Sequence, residues 1–300
     1  MQFDPSGGDI LGFAEEELAA GRRVAIATLT DIDGSSPRAV GAQMAIAEDG
    51  RFCGSISSGC LERAIIAEAG RTIAEGDGGV IRYGKGSRFV DVVLPCGSGV
   101  DILFTVASAG DAITAALASL RARRSAALRF GTNAVMTANE DSRGFLRAYR
   151  PPIRLVIAGY GPELTLLAAI ASAAGFIVCA LSPDAECLAT CNADETARLL
   201  SSSVLPEIAI DYRTACILLF HDREWERALA PLFLQSPAFY VGAVGGPKTA
   251  ALRRASLQED GLSEADIARL SAPVGLVPMT RDPSSLAVSI LAEIVAKAPS

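Results

Sequence analysis

Apolar residues in the first half of the chain switch between two spacings, and each switch predicts an element. Residues 9–20 repeat every three or four positions, as a helix with one buried face does. The run RVAIATLTDI (23–32) reads as a strand and stops at the loop DGSSPR. AQMAIAEDGRFCGSIS (42–57) predicts a hairpin turning at Glu48-Asp49-Gly50. A helix from about Gly59 to Glu75 follows, with Leu61, Ile65 and Ile73 among its apolar positions. GVIRYG (79–84) and VDILFTV (100–106) predict further strands, residues 111–123 a helix, and two or three short strands lead to Tyr149.

Tyr149-Arg150-Pro151-Pro152 interrupts this pattern. Consecutive prolines neither continue a helix nor donate to a sheet, so a linker is expected there. Two domains follow, 1–148 and 153–300. In the second, IRLVIAG (153–159), FIVCALS (176–182), ACILLF (215–220) and AFYVGAV (238–244) are continuous apolar runs. Helical stretches lie between them, including PELTLLAAIASAAG and Asp222 to Leu234. Strands alternating with helices predict a parallel sheet covered on both faces. A last helix, about Pro283 to Lys297, carries Leu286, Ile290 and Ile294 on one face. The fold class expected is α/β: a mixed α/β domain, then a Rossmann-like, doubly wound one.

Composition narrows the function classes. Half of the 300 residues are hydrophobic, a fifth are charged, and the net charge is −7. With no basic stripe, nucleic acid is not an expected partner. Arg121, Arg123 and Arg124 fit the end of a helix, where cations complement the dipole. The acidic N-terminus, broken by Pro5, does not read as a signal peptide. Leu164 to Pro183 holds 20 residues without a charge, about a membrane-span length. Gly175 splits it into an alanine-rich half and a β-branched half, so a helix and a buried strand are expected instead of a span. The seven cysteines are odd in number and contain no C-x-x-C pair. Free thiols in a cytoplasmic chain are expected, without a structural zinc site.

Several stretches could carry chemistry. Ser57, Ser58 and Gly59 favour a helix start and place Cys60 in the first turn, where unpaired N–H groups stabilise thiolate. Glu62 in that turn opposes the effect, and a packed structural cysteine is the plainer reading. Cys96 lies between Pro95 and two glycines, Gly97 and Gly99, that permit positive φ. The loop 33–41 offers Ser35, Ser36 and Arg38, and the loop 82–88 offers Arg82, Lys85 and Arg88. Together they could surround an anion, or be two solvated loops.

VIAGYGPEL opens the second domain like a dinucleotide-binding turn, with Gly159 and Gly161 in place. The fingerprint is incomplete. Leu164 stands where a third small residue belongs, Pro162 removes one donor, and the next strand ends at Ser182 where a ribose-binding acid is expected. Asp184 is two residues late. His221 and Asp222 follow the strand ACILLF at the edge where open α/β sheets hold ligands. Histidine there is either a base or a plain strand-end residue.

GSSPRAVGAQM, GSISSGCLE, LPCGSGVDIL, FHD, FYVGAVGGPK and APVGL…AVSILAEI occur in this order, spread over nearly all of residues 20–297. Together they resemble the XdhC/CoxI family of molybdenum hydroxylase accessory proteins. The resemblance implies binding of molybdenum cofactor, either molybdopterin or its cytosine dinucleotide form. It implies sulfuration of that cofactor by a cysteine desulfurase and delivery to an apo molybdenum hydroxylase such as xanthine dehydrogenase. It also implies a homodimer, and roles for Cys60 and Cys96 at the cofactor, including ligation of the metal. Departures from the family pattern fall mostly in the second domain. Pro162 stands for the usual histidine, Ser182 for aspartate, and Gly245-Gly246-Pro247-Lys248 for a more basic segment. In the first domain, Ser58-Gly59 precedes the first cysteine in place of Gly-Gly, and Cys96-Gly97-Ser98 replaces Cys-Gly-Gly.

Two other function classes compete with a chaperone: an NAD(P)-dependent oxidoreductase using the Rossmann-like half, and a structural assembly factor without cofactor. The broken fingerprint speaks against NAD(P), and two cysteines in glycine-bounded loops speak against the assembly factor. A carrier explains why a thiol at position 60 has no histidine near it in sequence: it needs a soft ligand and reversible release, not a nucleophile with a base.

Overall fold

The structure is a computed structural model describing residues 7–87, 97–138, 143–220, 222–278, 280 and 282–299. It divides into two compact units between Pro151 and Pro152. The first contains α1 (Gly7–Ala19), β1 (Val24–Asp33), β2 (Gln43–Ala47), β3 (Phe52–Gly54), α2 (Glu62–Glu75), β4 (Gly79–Gly84), β5 (Gly99–Ala107) and α3 (Asp111–Arg121). Three short strands, β6 (Ala126–Phe130), β7 (Val135–Thr137) and β8 (Phe145–Tyr149), complete it.

Its main sheet is antiparallel with the order β3-β2-β1-β5-β4, and β7-β6-β8 form a smaller antiparallel sheet. The strand period of two explains how one sheet serves two cores. On β1, Ala25, Ala27 and Leu29 pack with Ile65, Ala69 and Ile73 of α2. Val24 and Ile26 face the other way, onto α1, α3 and the small sheet. With both faces covered, the strand reads as an unbroken apolar run.

The register fixes what lies at one end of this sheet. β1 ends at Asp33 opposite Gly99, where β5 begins, and Gly99 is opposite Gly84, where β4 ends. Antiparallel pairing puts the start of β2 and the end of β3 at the same end, with Met44 opposite Gly54. Loops 34–42, 55–61 and 85–87 and residues 97–98 therefore all leave from one edge.

The second unit contains β9 (Arg154–Ala158), α4 (Gly161–Ala173), β10 (Ile177–Ser182), α5 (Ala185–Thr190), β11 (Glu195–Arg198), β12 (Thr214–Leu218), α6 (Arg223–Leu234), β13 (Tyr240–Ala243), α7 (Pro247–Glu259), α8 (Glu264–Ala268), β14 (Leu270–Ser271) and α9 (Pro283–Lys297). Its six strands are parallel in the order β11-β10-β9-β12-β13-β14, the doubly wound order with a crossover between β9 and β12. Leu155 and Ile157 of β9 face α4 and α9, and Val156 and Ala158 face α6. The apolar stretch at 164–183 is helix α4, a turn at Gly175 with φ +83°, and strand β10. Among the described residues no helix is long and apolar enough to cross a membrane.

Two expectations change. Helix α2 begins at Glu62, not Gly59. Several elements carried no readable apolar period: α5, the exposed edge strand β11, α7, α8 and the two-residue β14. In α7 the cause is specific, because an arginine, Arg253, occupies a buried position where the pattern calls for an aliphatic side chain.

Candidate functional site

Cys60 lies just before α2, not within its first turn, and is exposed. The other described cysteines are buried or half-buried. Burial pushes Cys53 and Cys187 upward, raises Cys179 and Cys191 to about 11, and raises Cys216 further. Among the described residues, Cys60 is thus the one thiol on the surface. Cys96 and Arg88 lie outside the described residues.

The loop carrying Cys60 is wound around one carboxylate. Glu62 accepts the backbone N–H of Ile56 (3.3 Å), Ser57 (2.9 Å) and Gly59 (2.7 Å), and the hydroxyls of Ser55 (2.7 Å) and Ser57 (2.5 Å). Ser57 Oγ in turn accepts the Leu61 N–H at 2.6 Å. Burial alone would raise the Glu62 pKa. The hydrogen bonds from Ser57 and Ser55 outweigh it and hold the group at about 2. Backbone donors expected to lie unpaired near Cys60 therefore point at Glu62. Ser58 has φ +56° and Gly59 φ +113°. A left-handed serine costs about 1–2 kcal/mol, and such strain gathers at working sites. Beneath the loop, Ile56 and Leu61 anchor it in the core shared with Tyr83 and Val100.

The other first-domain candidates leave the same sheet edge. A Cβ on Gly34 would meet Ser98 Cβ at 3.0 Å, so the loop bearing Ser35, Ser36 and Arg38 runs against the one bearing Gly97. Ser36 Oγ accepts the Arg38 N–H at 3.2 Å. Farther on, the loop is fastened by the Arg147 guanidinium donating to the Gly41 carbonyl. Gly97 has φ +66°, as expected, but Gly99 does not need positive φ. Gly99 is glycine because a Cβ would fall 2.6 Å from the Lys85 carbonyl. Two of the expected anion-binding cations already hold carboxylates. Arg82 bonds Asp101 at 3.1 Å and Asp33 at 3.2 Å, and Lys85 lies 3.4 Å from Asp33. Among the described residues, no cluster of three His, Cys, Asp or Glu could hold a metal ion by itself.

In the second domain, Gly159 and Gly161 form the turn between β9 and α4. Gly161 has φ +78°, and a Cβ on Gly159 would meet Leu219 Cβ at 2.7 Å. Leu164 is fully buried in the core beneath α4. The nearby acids are occupied. Asp184 caps α5, accepting the N–H of Glu186 (2.9 Å) and Cys187 (3.2 Å). Asp222 caps α6 through the Trp225 N–H at 3.3 Å and accepts the Tyr160 hydroxyl at 3.3 Å. Burial and this carboxylate both raise the Tyr160 pKa. Tyr160 also meets Phe220 edge-on at 5.7 Å between centroids, and Phe220 stacks on Trp225. This aromatic row was not singled out in the sequence, since only the turn brings Tyr160 to the end of β12. His221 lies outside the described residues.

Known proteins are similar to this chain. Residues 155–294 match the XdhC Rossmann domain, and residues 17–84 match the XdhC and CoxI family. The chain is 35% identical over 293 residues to the molybdenum cofactor insertion chaperone PaoD of Escherichia coli K12, covering 95% of this chain and 86% of that protein. It is 24% identical over 274 residues to the uncharacterized protein YqeB of the same organism, covering 90% of this chain and 43% of that one. A Bacillus halodurans crystal structure described as a xanthine dehydrogenase shares the fold, with a TM-score of 0.76 at 22% identity over 97% of this chain and 95% of that one. An exposed cysteine on a bound loop at the edge of an antiparallel sheet, a doubly wound second domain, and identity at this level over nearly the whole length lead to one assignment: the chain belongs to the XdhC and CoxI family.

Proposed function

We propose that the protein is a molybdenum cofactor chaperone: it carries the cofactor as cargo and inserts it into an apo molybdenum hydroxylase of the xanthine dehydrogenase type. The observation that carries this reading is Cys60, an exposed thiol on a loop fastened by Glu62, at the sheet edge where the loops bearing Ser35, Ser36, Arg38 and Gly97 also leave. Its near-full-length identity to a named insertion chaperone supports the same reading.

The chemistry of the donors fits such cargo. A molybdenum–dithiolene group brings its own sulfur chelate, so the carrier needs only one or two soft, replaceable ligands. Cys60 is the described candidate, with Cys96 as its partner in this reading. Ser58, Gly59 and the loop at Ser35, Ser36 and Arg38 would orient the pterin and its phosphate. The Arg82 and Lys85 pairs with Asp33 would exchange for the anionic cargo, which makes binding reversible. Presentation of the cofactor to a cysteine desulfurase for sulfuration, the cytosine dinucleotide form, a homodimer and a cytoplasmic location belong to the same reading. In the second domain, the end of β9 at Gly159 and Gly161 and Asp222 at the start of α6, with His221 before it in sequence, would hold a further part of the cargo.

Hydride transfer with NAD(P) is the competing reading. It is disfavoured by the capping duty of Asp184 and by Ser182 at the strand end. The deciding experiment purifies the chain from a host that makes molybdenum cofactor and assays bound pterin and molybdenum. Stoichiometric pterin and molybdenum, reduced in Cys60→Ala, are expected. A metal- and pterin-free protein, with a hydroxylase that matures fully in its absence, would refute the proposal.

A further inference from the structure

Helices α6 and α7 face each other across a cavity of about 200 Å³ at the ends of β12 and β13. Arg223, Glu226, Arg227 and Ala230 line it from α6, and Thr249, Leu252, Arg253 and Ser256 from α7. Both sets follow the three- and four-residue spacing of one helix face.

Arg253 dominates this cavity. The residue is 7% exposed, yet two of its three guanidinium nitrogens, Nε and Nη1, are buried without a hydrogen-bond partner. Its third nitrogen, Nη2, donates to the Glu226 carboxylate and to the Val244 carbonyl at 2.8 Å. Buried donors are nearly always satisfied, so a buried cation short of acceptors in the wall of a cavity is placed to donate to a group that enters it. Local charge agrees. Three arginines and one glutamate line the space, and it stays net positive after Asp260, which pairs with Arg227, is counted. Helix α7 begins with no side-chain cap. Gly245 at φ +127° lets Thr249 close in, since a Cβ there would meet Thr249 Cγ2 at 3.0 Å.

We propose that this cavity binds a small organic anion, whose carboxylate or phosphate oxygen accepts hydrogen bonds from Arg253 while its apolar body rests on Ala230, Val244 and Leu252. The site follows the fourth and fifth strands of the doubly wound sheet, and Phe220 and Arg223 in its lining adjoin the start of α6 assigned to the cargo, but the unpartnered nitrogens of Arg253 do not rest on the chaperone reading. The volume is below the roughly 300 Å³ at which drug-sized pockets begin, so the ligand is one acidic group on a compact body and not a dinucleotide.

Calorimetry and thermal shift on the full chain test this with phenyl phosphate and benzoate as probes and benzyl alcohol as the neutral control. Saturable binding of either acid is expected, with an unfolding midpoint that rises with its concentration. Which acid binds tells phosphate from carboxylate. Arg253→Met should weaken binding by about tenfold or more. That variant leaves Glu226 unpaired and could lose stability, so Ser256→Phe serves as a second variant that fills the cavity with the Arg253–Glu226 pair intact. It should weaken binding as much. Absence of saturable binding, equal affinity for benzyl alcohol, or undiminished affinity in a folded variant overturns the proposal.

Discussion

The Glu62 carboxylate accepts the Gly59 N–H at 2.7 Å, one residue before the exposed Cys60. Held at about 2 in the folded chain, this carboxylate titrates in the unfolded chain near the ordinary 4.5. A depressed folded value means that its stabilising effect is complete above pH 4.5 and is lost as pH falls toward 2. Glu62→Gln should therefore cost on the order of 1–3 kcal/mol at neutral pH. The gap from the parent should narrow through that acid window. Urea unfolding of both proteins across the pH series checks it, and a gap of constant size would show that the charge of Glu62 contributes nothing.

Accessibility orders the thiols. Brief treatment with iodoacetamide, read by peptide mass spectrometry, should label Cys60 well ahead of Cys53, Cys179, Cys187, Cys191 and Cys216, because burial shields those and holds them protonated. Cys60→Ala should leave stability within about 0.5 kcal/mol, as surface changes usually do, while bound molybdenum falls. Faster labelling of Cys179 or Cys216 would contradict the burial on which this order depends.

Gly159→Ala tests the close approach of β9 to β12. The new methyl would sit 2.7 Å from Leu219 Cβ, deep in the core, with no flexible chain end to give way. A loss of about 1–3 kcal/mol is expected, the usual range for overpacking. Gly175→Ala would fail for a different reason, its φ of +83°, since a Cβ there meets nothing within 4 Å. Chemical denaturation midpoints of the two variants, with the mobility of local amides, separate steric crowding from backbone strain.

Asp184 separates the two uses of the second domain. Its side chain caps α5, so Asp184→Ala should cost about 1 kcal/mol of stability. Titration with NAD and NADP should show no micromolar binding in the parent, and the variant should change nothing. Micromolar affinity abolished by Asp184→Ala would bring the oxidoreductase reading forward.

Much of the architecture was readable from local pattern. Helix α9 spans the predicted Pro283 to Lys297, and Glu48-Asp49-Gly50 turns the hairpin between β2 and β3. These elements were legible because burial on one face imposes a period on the residues. The family assignment was legible too, because six short segments kept their order. By contrast, Arg253 hid α7, and the start of α2 was misplaced because a good helix-start triplet, Ser57-Ser58-Gly59, is used instead to wrap Glu62.

Residue types and spacing were enough for an α/β fold with a parallel sheet after Pro152, and for a cysteine and glycine loops as candidates. They could not say that β5 lies between β1 and β4, and that order brings Gly34 against Ser98. Nor could they say which carboxylate would take the donors around Cys60, or that Arg82 and Lys85 would settle on Asp33. Secondary structure follows from neighbours within a few residues, so it is written locally. Strand order, orphaned donors and ion pairs arise between residues far apart in sequence, where many partners compete for each group. Only the packed fold chooses among them.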